Sequence, residues 1–289
     1  MNPVPIIAGL RDLAPDYDVF ILDLWGVLHD GERPYPGAVA CMAELKSLGK
    51  KLAILSNAPR RAASVARRIG EIGFAPESYD LILSSGEDAW LSLAQRGRAD
   101  ADPYYAALGP RCFHLGPDWD KGILVGLPIE LAAQPRDADF VLTTGVCNRG
   151  DTIEQYEPVL QEIAARQLPM ICANPDLIVI NAGKREYCAG ALAARYEQLG
   201  GKVRYHGKPH APIYARIFAL LGGVARGRVL AVGDSLRTDI AGAQAAGIAS
   251  LLVMGGIHAE EFAADPAKLE AACAAQGVRP VAAISALRW

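Results

Sequence analysis

Short runs of apolar and β-branched residues alternate along the chain with longer amphipathic or alanine-rich segments. The short runs predict strands at Val19–Leu22, Lys51–Leu55, Leu81–Leu83, Phe140–Leu142, Met170–Cys172, Val229–Val232 and Ser250–Val253. The longer segments predict helices at Ala38–Leu48, Arg60–Ile72, Glu87–Gln95, Thr152–Arg166, Ala189–Leu199, Pro212–Leu221 and Ile240–Ala246. This alternation is typical of a parallel sheet covered by helices, so the sequence predicts an α/β fold with a Rossmann-like parallel-sheet core.

The pattern is interrupted by the polar, turn-rich segment Gly97–Pro103, which we interpret as a linker. Further strands and helices follow it, and the first pattern resumes near residue 203. A chain of 289 residues is about twice as long as a typical domain. We therefore predict a core formed by residues 1–97 and 204–289, interrupted by a smaller inserted α/β domain at residues 98–203.

Polar side chains follow several of the predicted strands at the point where each strand ends. Asp23 follows the first strand, Ser56 and Asn57 follow the second, and Asp234 follows Val229–Val232 by two residues. Lys208 precedes the helix predicted at Pro212–Leu221. Each residue alone suits a helix cap or a turn. Because ligands of open α/β sheets bind outside the carboxyl ends of the strands, the set together predicts a functional site.

The residue types in this set predict phosphoryl transfer. Asp23 and Asp234 are hard oxygen ligands of the kind that bind Mg²⁺. Asp23 is also a nucleophile that could attack phosphorus and form an aspartyl-phosphate. The Ser56 hydroxyl and the Lys208 ammonium are suited to stabilising the phosphate oxygens.

The order of these motifs resembles that of the haloacid dehalogenase superfamily. The strings that carry the resemblance are Asp23-Leu24-Trp25-Gly26-Val27, Ser56-Asn57, Lys208 and Gly233-Asp234-Ser235-Leu236-Arg237-Thr238-Asp239. Further strings resemble the branch with a large α/β cap, which includes nitrophenyl, pyridoxal and sugar-phosphate phosphatases: Gly31–Ala38, Ala173–Asp176, Gly190–Leu192 and Gly207–Pro209. The resemblance covers nearly the whole chain and implies that the inserted domain is such a cap.

The resemblance also implies a role for each matching residue. Asp23 would be the nucleophile, and the phosphate would be bound by Ser56, Asn57 and Lys208. Mg²⁺ would be held by Asp23, the backbone carbonyl of Trp25 and Asp234, with Asp239 as a water-mediated ligand or an orienting residue. The function implied is a Mg²⁺-dependent phosphatase that acts on a small phosphorylated metabolite.

Trp25 departs from the pattern of these phosphatases, which carry a second aspartate at this position as general acid and base. An indole cannot transfer a proton in this way, and general acid–base catalysis contributes roughly 10²–10⁴-fold. Three alternatives stay open: substrates with good leaving groups, a substitute such as His29 or Asp30, or a phospho-ligand-binding or regulatory protein with little turnover. The dehalogenases proper carry an aromatic residue here but use no metal, which disagrees with Asp234 and Asp239.

In the cap, Asn174 and Asp176 follow the strand Met170–Cys172 and are candidates for substrate or cap-closure contacts, although a plain turn is equally compatible. The segment Asn181–Cys188 is a candidate loop against the leaving group. Caps of this branch often mediate dimers, so we expect a homodimer.

Composition limits the partners and the compartment. The net charge is −3, the pI is near 6.0, and no basic stripe is present, which disfavours nucleic acid or an anionic membrane as partner. No signal peptide and no apolar run of roughly 18 residues appear, so we expect a cytoplasmic protein. The six scattered cysteines suit reduced thiols better than a zinc site or disulfides.

Overall fold

The computed structural model describes residues 3–181, 184–257, 262 and 266–289. These residues form two compact units. The first unit comprises Met1–Ser56, Ala66–Leu83 and Lys208–Trp289, and the second unit comprises Asn57–Val65 and Ser84–Gly207. The domain boundaries at residues 98 and 203 stay a prediction, and the second unit reaches beyond them because chain segments before residue 98 pack within it.

The described residues contain these regular elements, in chain order. The strands are β1 (Val19–Leu22), β2 (Lys51–Ser56), β3 (Leu81–Ser84), β4 (Arg111–Leu115), β5 (Glu130–Ala132), β6 (Phe140–Thr143), β7 (Met170–Cys172), β8 (Ile178–Asn181), β9 (Lys184–Tyr187), β10 (Val203–Tyr205), β11 (Val229–Gly233), β12 (Ala249–Val253) and β13 (Ala282–Ile284). The helices are α1 (Ala38–Ser47), α2 (Ala62–Glu71), α3 (Ser85–Ala94), α4 (Pro103–Ala106), α5 (Glu157–Ala165), α6 (Ala189–Gln198), α7 (Ala211–Leu221), α8 (Ala241–Ala245) and α9 (Pro266–Gln276).

The first unit is built on a six-stranded sheet with the order β13-β12-β11-β1-β2-β3. The central strand β1 pairs in parallel with β11 through Leu22 and Val232, and with β2 through Leu22 and Ile54. All four residues of β1 are buried, as expected for a strand covered by helices on both faces. The chain order of the strands reverses between β1 and β11. The predicted Rossmann-like α/β core is thereby confirmed.

The second unit contains a five-stranded parallel sheet with the order β10-β7-β6-β4-β5. One face packs against α5 and α6 through residues such as Leu160 and Leu192. The other face packs against α3 through residues such as Leu93 and Phe140. This unit is an α/β domain with a core of its own, as expected of the inserted domain.

Two predicted elements have a different form in the structure. The helix predicted at Thr152–Arg166 begins as a 3₁₀ turn, Ile153–Tyr156, and becomes α-helical at Glu157. Pro158 occupies the first turn of α5, where its missing N–H leaves no hydrogen bond unmade. The predicted loop Asn181–Cys188 belongs largely to the antiparallel hairpin of β8 and β9, and its residues 182–183 lie outside the described residues.

No helix in the described part of the chain is both long enough and apolar enough to cross a bilayer.

Candidate active site

Three aspartates converge in the first unit. Asp23 directly follows β1, Asp234 directly follows β11, and Asp239 lies in the π-helical turn Leu236–Ile240. Each contributes a carboxylate oxygen, and these oxygens all lie within 4.8 Å of one another. The sequence placed Asp23 and Asp234 at strand ends, and the structure brings them together with Asp239.

The sheet topology explains why Asp23 and Asp234 meet. Their strands are direct neighbours, and the Asp23 backbone N–H donates to the Val232 carbonyl oxygen at 2.9 Å. The strand order reverses between these two strands, so their connections leave on opposite faces and open a crevice at the carboxyl ends. Two residues more than 200 positions apart in sequence therefore share one edge of the sheet.

Lys208 lies between two of these carboxylates. Its Nζ is 2.6 Å from Asp23 Oδ1 and 2.7 Å from Asp239 Oδ1, and only 3% of the residue is exposed. Burial alone would lower the pKa of Lys208, but the charges and hydrogen bonds of Asp23 and Asp239 raise it overall. The ammonium therefore stays charged at neutral pH and fixes the orientation of both carboxylates.

Asp234 is held tightly from two sides. A Cβ added to Gly26 or to Gly256 would lie 2.0 Å from its Oδ2 atom, so only glycine fits at either position. The Ile257 N–H donates to the same oxygen at 2.6 Å. Burial, followed by the charges of Asp23 and Asp239, raises the pKa of Asp234 well above its ordinary value. Ionisation of Asp234 beside two other carboxylates is therefore unfavourable, which indicates that the site lacks positive charge.

The donor set fits a hard divalent cation. Among these four side chains, three carboxylates face one ammonium, so two negative charges are uncompensated in a largely buried site whenever Asp234 is ionised. Oxygen donors at this spacing are the ligands that Mg²⁺ and Ca²⁺ take. The carbonyl of Trp25 as a further ligand stays a prediction.

Sequence reasoning did not identify Gly256 and Ile257 as part of this site. They follow β12 by three and four residues, and β12 is the neighbour of β11. The available signal was the Gly255-Gly256 pair at the end of a predicted strand, which indicates close backbone approach.

The predicted phosphate-binding residues are placed as follows. Ser56 is the last residue of β2 and is buried, one strand away from Asp23. Asn57 begins the first segment of the second unit, and its Nδ2 donates to Asp176 Oδ1 at 2.9 Å. The Asn174 Oδ1 atom accepts from the Asp176 backbone N–H at 3.0 Å, which is a local turn. The roles predicted for these residues in binding stay predictions.

Trp25 is fixed by the loop that follows it. A Cβ on Gly31 would lie 2.4 Å from the indole, and the His29 ring contacts the indole edge-on with 5.3 Å between centroids. His29 is buried, its Nδ1 accepts from the Gly31 N–H at 2.9 Å, and burial lowers its pKa to about 4. The Asp30 carboxylate accepts two backbone N–H groups of its own turn. Local contacts therefore account for both residues that were considered as substitutes for the missing aspartate.

Comparisons with known proteins agree with this geometry. The sequence profile described as haloacid dehalogenase-like hydrolase matches residues 20–121, and the profile described as HAD-hydrolase-like matches residues 205–278. A solved haloacid dehalogenase-like hydrolase from Brucella suis is 33% identical, with a TM-score of 0.83 over 98% of this chain and 100% of its own. The chain belongs to the haloacid dehalogenase-like hydrolase family. The resemblance stated from the motifs is thereby confirmed.

Relatives of this haloacid dehalogenase-like protein carry phosphatase names. A D-glycerol 3-phosphate phosphatase of Mycobacterium tuberculosis is 28% identical over 258 residues, which are 86% of this chain and 66% of that protein. A 4-nitrophenylphosphatase of Schizosaccharomyces pombe is 25% identical over 265 residues, 87% of this chain and 88% of that protein. The predicted enzyme class, a phosphoric monoester hydrolase of this family, is confirmed.

A solved structure of the mycobacterial glycerol phosphate phosphatase contains calcium. It is 25% identical, with a TM-score of 0.63 over 85% of this chain and 68% of its own. A divalent cation therefore occurs in this haloacid dehalogenase-like family, in agreement with the donor set formed by Asp23, Asp234 and Asp239.

Proposed function

We propose that this chain is a Mg²⁺-dependent phosphatase that hydrolyses a small phosphorylated metabolite through an aspartyl-phosphate on Asp23. The observation that supports the proposal is the convergence of three carboxylates and the Lys208 ammonium at the carboxyl ends of β1 and β11. The names of the relatives favour phosphate monoesters of small alcohols or phenols as the substrate class. A dehalogenase that works without a metal would not need Asp234 and Asp239.

The proposed reaction has two displacements at phosphorus. A carboxylate oxygen of Asp23 attacks the phosphorus atom, the bond to the ester oxygen breaks, and the leaving alkoxide takes up a proton. A water molecule then attacks the aspartyl-phosphate, which releases inorganic phosphate and a proton and restores the Asp23 carboxylate. Mg²⁺ bound by Asp23, Trp25, Asp234 and Asp239 would supply positive charge that lowers the repulsion between two anionic reactants.

The remaining residues of the site have supporting roles in this proposal. Lys208 keeps the Asp23 carboxylate in one orientation, since its Nζ binds Oδ1 at 2.6 Å. Its charge, together with the Ser56 hydroxyl, stabilises the phosphate oxygens in the transition state. Asn57 directly follows Ser56, at the carboxyl end of β2. Cytoplasmic location and a homodimer, both expected from the sequence, stay part of the proposal.

The central test is the change Asp23→Asn, which removes the nucleophile and keeps the shape of the side chain. Hydrolysis of nitrophenyl phosphate and of a panel of metabolite phosphates is measured with MgCl₂ and with EDTA. We expect turnover to fall on the order of 10³-fold or more in the variant, and to be lost in EDTA. The matched control is Asp118→Asn, at a carboxylate that is 88% exposed. Equal rates for the wild type and Asp23→Asn would contradict the proposal.

Trp25 supports a second candidate function, a phospho-ligand-binding protein with weak turnover. Without a proton donor at this position, the leaving group must depart with little protonation, so the rate should fall steeply as the leaving-group pKa rises. A series of aryl and alkyl phosphates measures this dependence.

We expect Trp25→Asp to flatten the dependence, with a gain of up to roughly 10²–10⁴-fold that is largest for alkyl phosphates. Trp25→Phe keeps an aromatic ring against Gly31 and should keep the steep dependence. A shallow dependence in the wild type would show that another group donates the proton. Saturable phosphate binding without turnover of any ester would favour the binding protein.

A further inference from the structure

A largely buried cluster in the second unit holds Asn57, the residue that follows Ser56. Its members are Asn57, Ser85, Asp176 and Gly207. The Asn57 Nδ2 donates to Asp176 Oδ1 at 2.9 Å, and Asn57 is only 5% exposed. The opposite end of the amide lies against Gly207, because a Cβ there would be 2.5 Å from Asn57 Oδ1. The Asn57 side chain is therefore held at both ends.

Ser85, in the first turn of α3, joins the backbone on both sides of this hydrogen bond. Its hydroxyl oxygen lies 3.0 Å from the Ala58 carbonyl oxygen and also contacts the Ala173 carbonyl oxygen. Ala58 follows Asn57, and Ala173 begins the loop that carries Asp176. Since one hydroxyl donates one hydrogen bond at a time, Ser85 holds two chain segments with a single group. It is fully buried.

Two glycines allow these segments to sit directly on the ends of helices. A Cβ on Gly86 would lie 2.3 Å from the Arg60 backbone nitrogen, and one on Gly190 would lie 2.3 Å from the Pro175 carbonyl oxygen. The Gly86 N–H donates to the Ala58 carbonyl oxygen at 3.1 Å, and the Gly190 N–H donates to the Asp176 carbonyl oxygen at 3.1 Å. The segment that follows Asn57 and the loop that carries Asp176 therefore each pack directly against the first turn of a helix.

We propose that Asp176 is a positioning residue. It fixes the amide of Asn57 and, through it, the peptide that joins Ser56 to Asn57, and it makes no contact with the substrate. The proposal rests on the phosphatase function proposed above, because the Ser56 hydroxyl must be oriented toward a phosphate oxygen. A displacement of such a group by about 1 Å can lower a rate on the order of 10²-fold.

Exchanging the two partners tests the proposal. Asn57→Asp places two carboxylates face to face, so we expect KM and the Kd for inorganic phosphate to rise on the order of tenfold or more, and Tm to fall. Adding Asp176→Asn restores one donor and one acceptor with reversed direction. The double variant should recover KM and phosphate affinity to within about threefold of the wild type, and should recover Tm. Asn148→Asp is the matched control, because Asn148 donates to Asp151 in an exposed loop.

Three outcomes would overturn the proposal. If Asn57 itself binds phosphate, the carboxylate at position 57 repels it in both variants, and the double variant stays defective. If Tm recovers and phosphate affinity does not, the pair is structural only. If Asn57→Asp alone changes nothing, the contact has no role. A wild type without turnover would refute the phosphatase function, whereas phosphate affinity and Tm would still decide the role of Asp176.

Discussion

Lys208 shows how one side chain can set the electrostatics of a site. Its ammonium binds Asp23 and Asp239 at once, so one positive charge lies between two carboxylates in a buried environment. Asp234 has no comparable contact among the described ion pairs, and its pKa is raised by burial and by the two neighbouring charges. The distribution of charge within the site therefore leaves room for one cation beside Asp234.

A second residue, His114, illustrates how burial suppresses a charge elsewhere in the chain. Its Nε2 is 2.9 Å from Thr144 Oγ1, while its Nδ1 is buried and has no hydrogen-bond partner among the described residues. Burial, with a smaller contribution from Lys121, lowers the pKa of His114 from 6.5 to about 4. The folded protein therefore holds His114 neutral where an unfolded chain would protonate it.

We expect His114 to make stability depend on pH. Both states are neutral above pH 6.5, so its contribution is intact there; between pH 6.5 and about 4 only the unfolded state binds the proton. The free energy of unfolding should fall by about 3 kcal/mol across this window and level off below it. Urea unfolding at several pH values measures the effect, and His114→Gln should remove that part of the slope. An unchanged slope in the variant would contradict the assigned pKa.

At the scale of elements, the start of α3 is determined by the contacts that its first turn makes. Ser84 caps the helix by accepting from the Glu87 N–H, and Gly86 lies against the backbone of Arg60. The sequence predicts this helix but starts it at Glu87, because the small polar residues before it carry no helical periodicity. Only the packed chain shows that Ser85 and Gly86 belong to the helix.

Gly86→Ala should therefore destabilise the protein although alanine favours helices. The added Cβ would lie 2.3 Å from a backbone nitrogen, and overpacking of this kind typically costs about 1–3 kcal/mol. Gly70→Ala in α2 is the matched control, because a Cβ there meets nothing within 4 Å. It should stabilise by about 0.5–1 kcal/mol. Chemical unfolding of both variants gives the comparison, and equal signs would disprove the steric account.

At the scale of the whole molecule, we expect the buried carboxylates of the site to lower the stability of the metal-free protein. Asp234→Asn removes one buried carboxylate while its amide oxygen can still accept from Ile257, so the metal-free variant should have a higher Tm than the wild type. MgCl₂ should stabilise the wild type by about 2.7 kcal/mol at a hundred times Kd, and the variant much less. Thermal unfolding with and without MgCl₂ tests both expectations.

The exposed Asp118→Asn change serves as control for the effect of removing a charge, and its response to MgCl₂ should equal that of the wild type. If Asp234→Asn responds to MgCl₂ as the wild type does, then Asp234 is not a ligand of the cation. If it lowers Tm in the absence of metal, the repulsion inferred for Asp234 does not limit stability.

The sequence by itself determined the central strands β1, β2, β11 and β12, and the polar residues after the first three of them, because a strand covered on both faces is continuously apolar and stops where polarity begins. It also determined the family, since the motifs and their order can be read directly from the sequence. It did not predict β4, β5 or β10. Polar residues such as Arg111 and Glu130 interrupt the apolar pattern there, and these segments become strands by pairing with neighbouring strands. Only the tertiary structure decided which two carboxylates Lys208 binds, that Gly26 and Gly256 enclose Asp234, and that Asn57 is bound by Asp176. Those contacts join segments that are remote in sequence, and the order of residues along the chain does not give the distances between such segments in the folded protein.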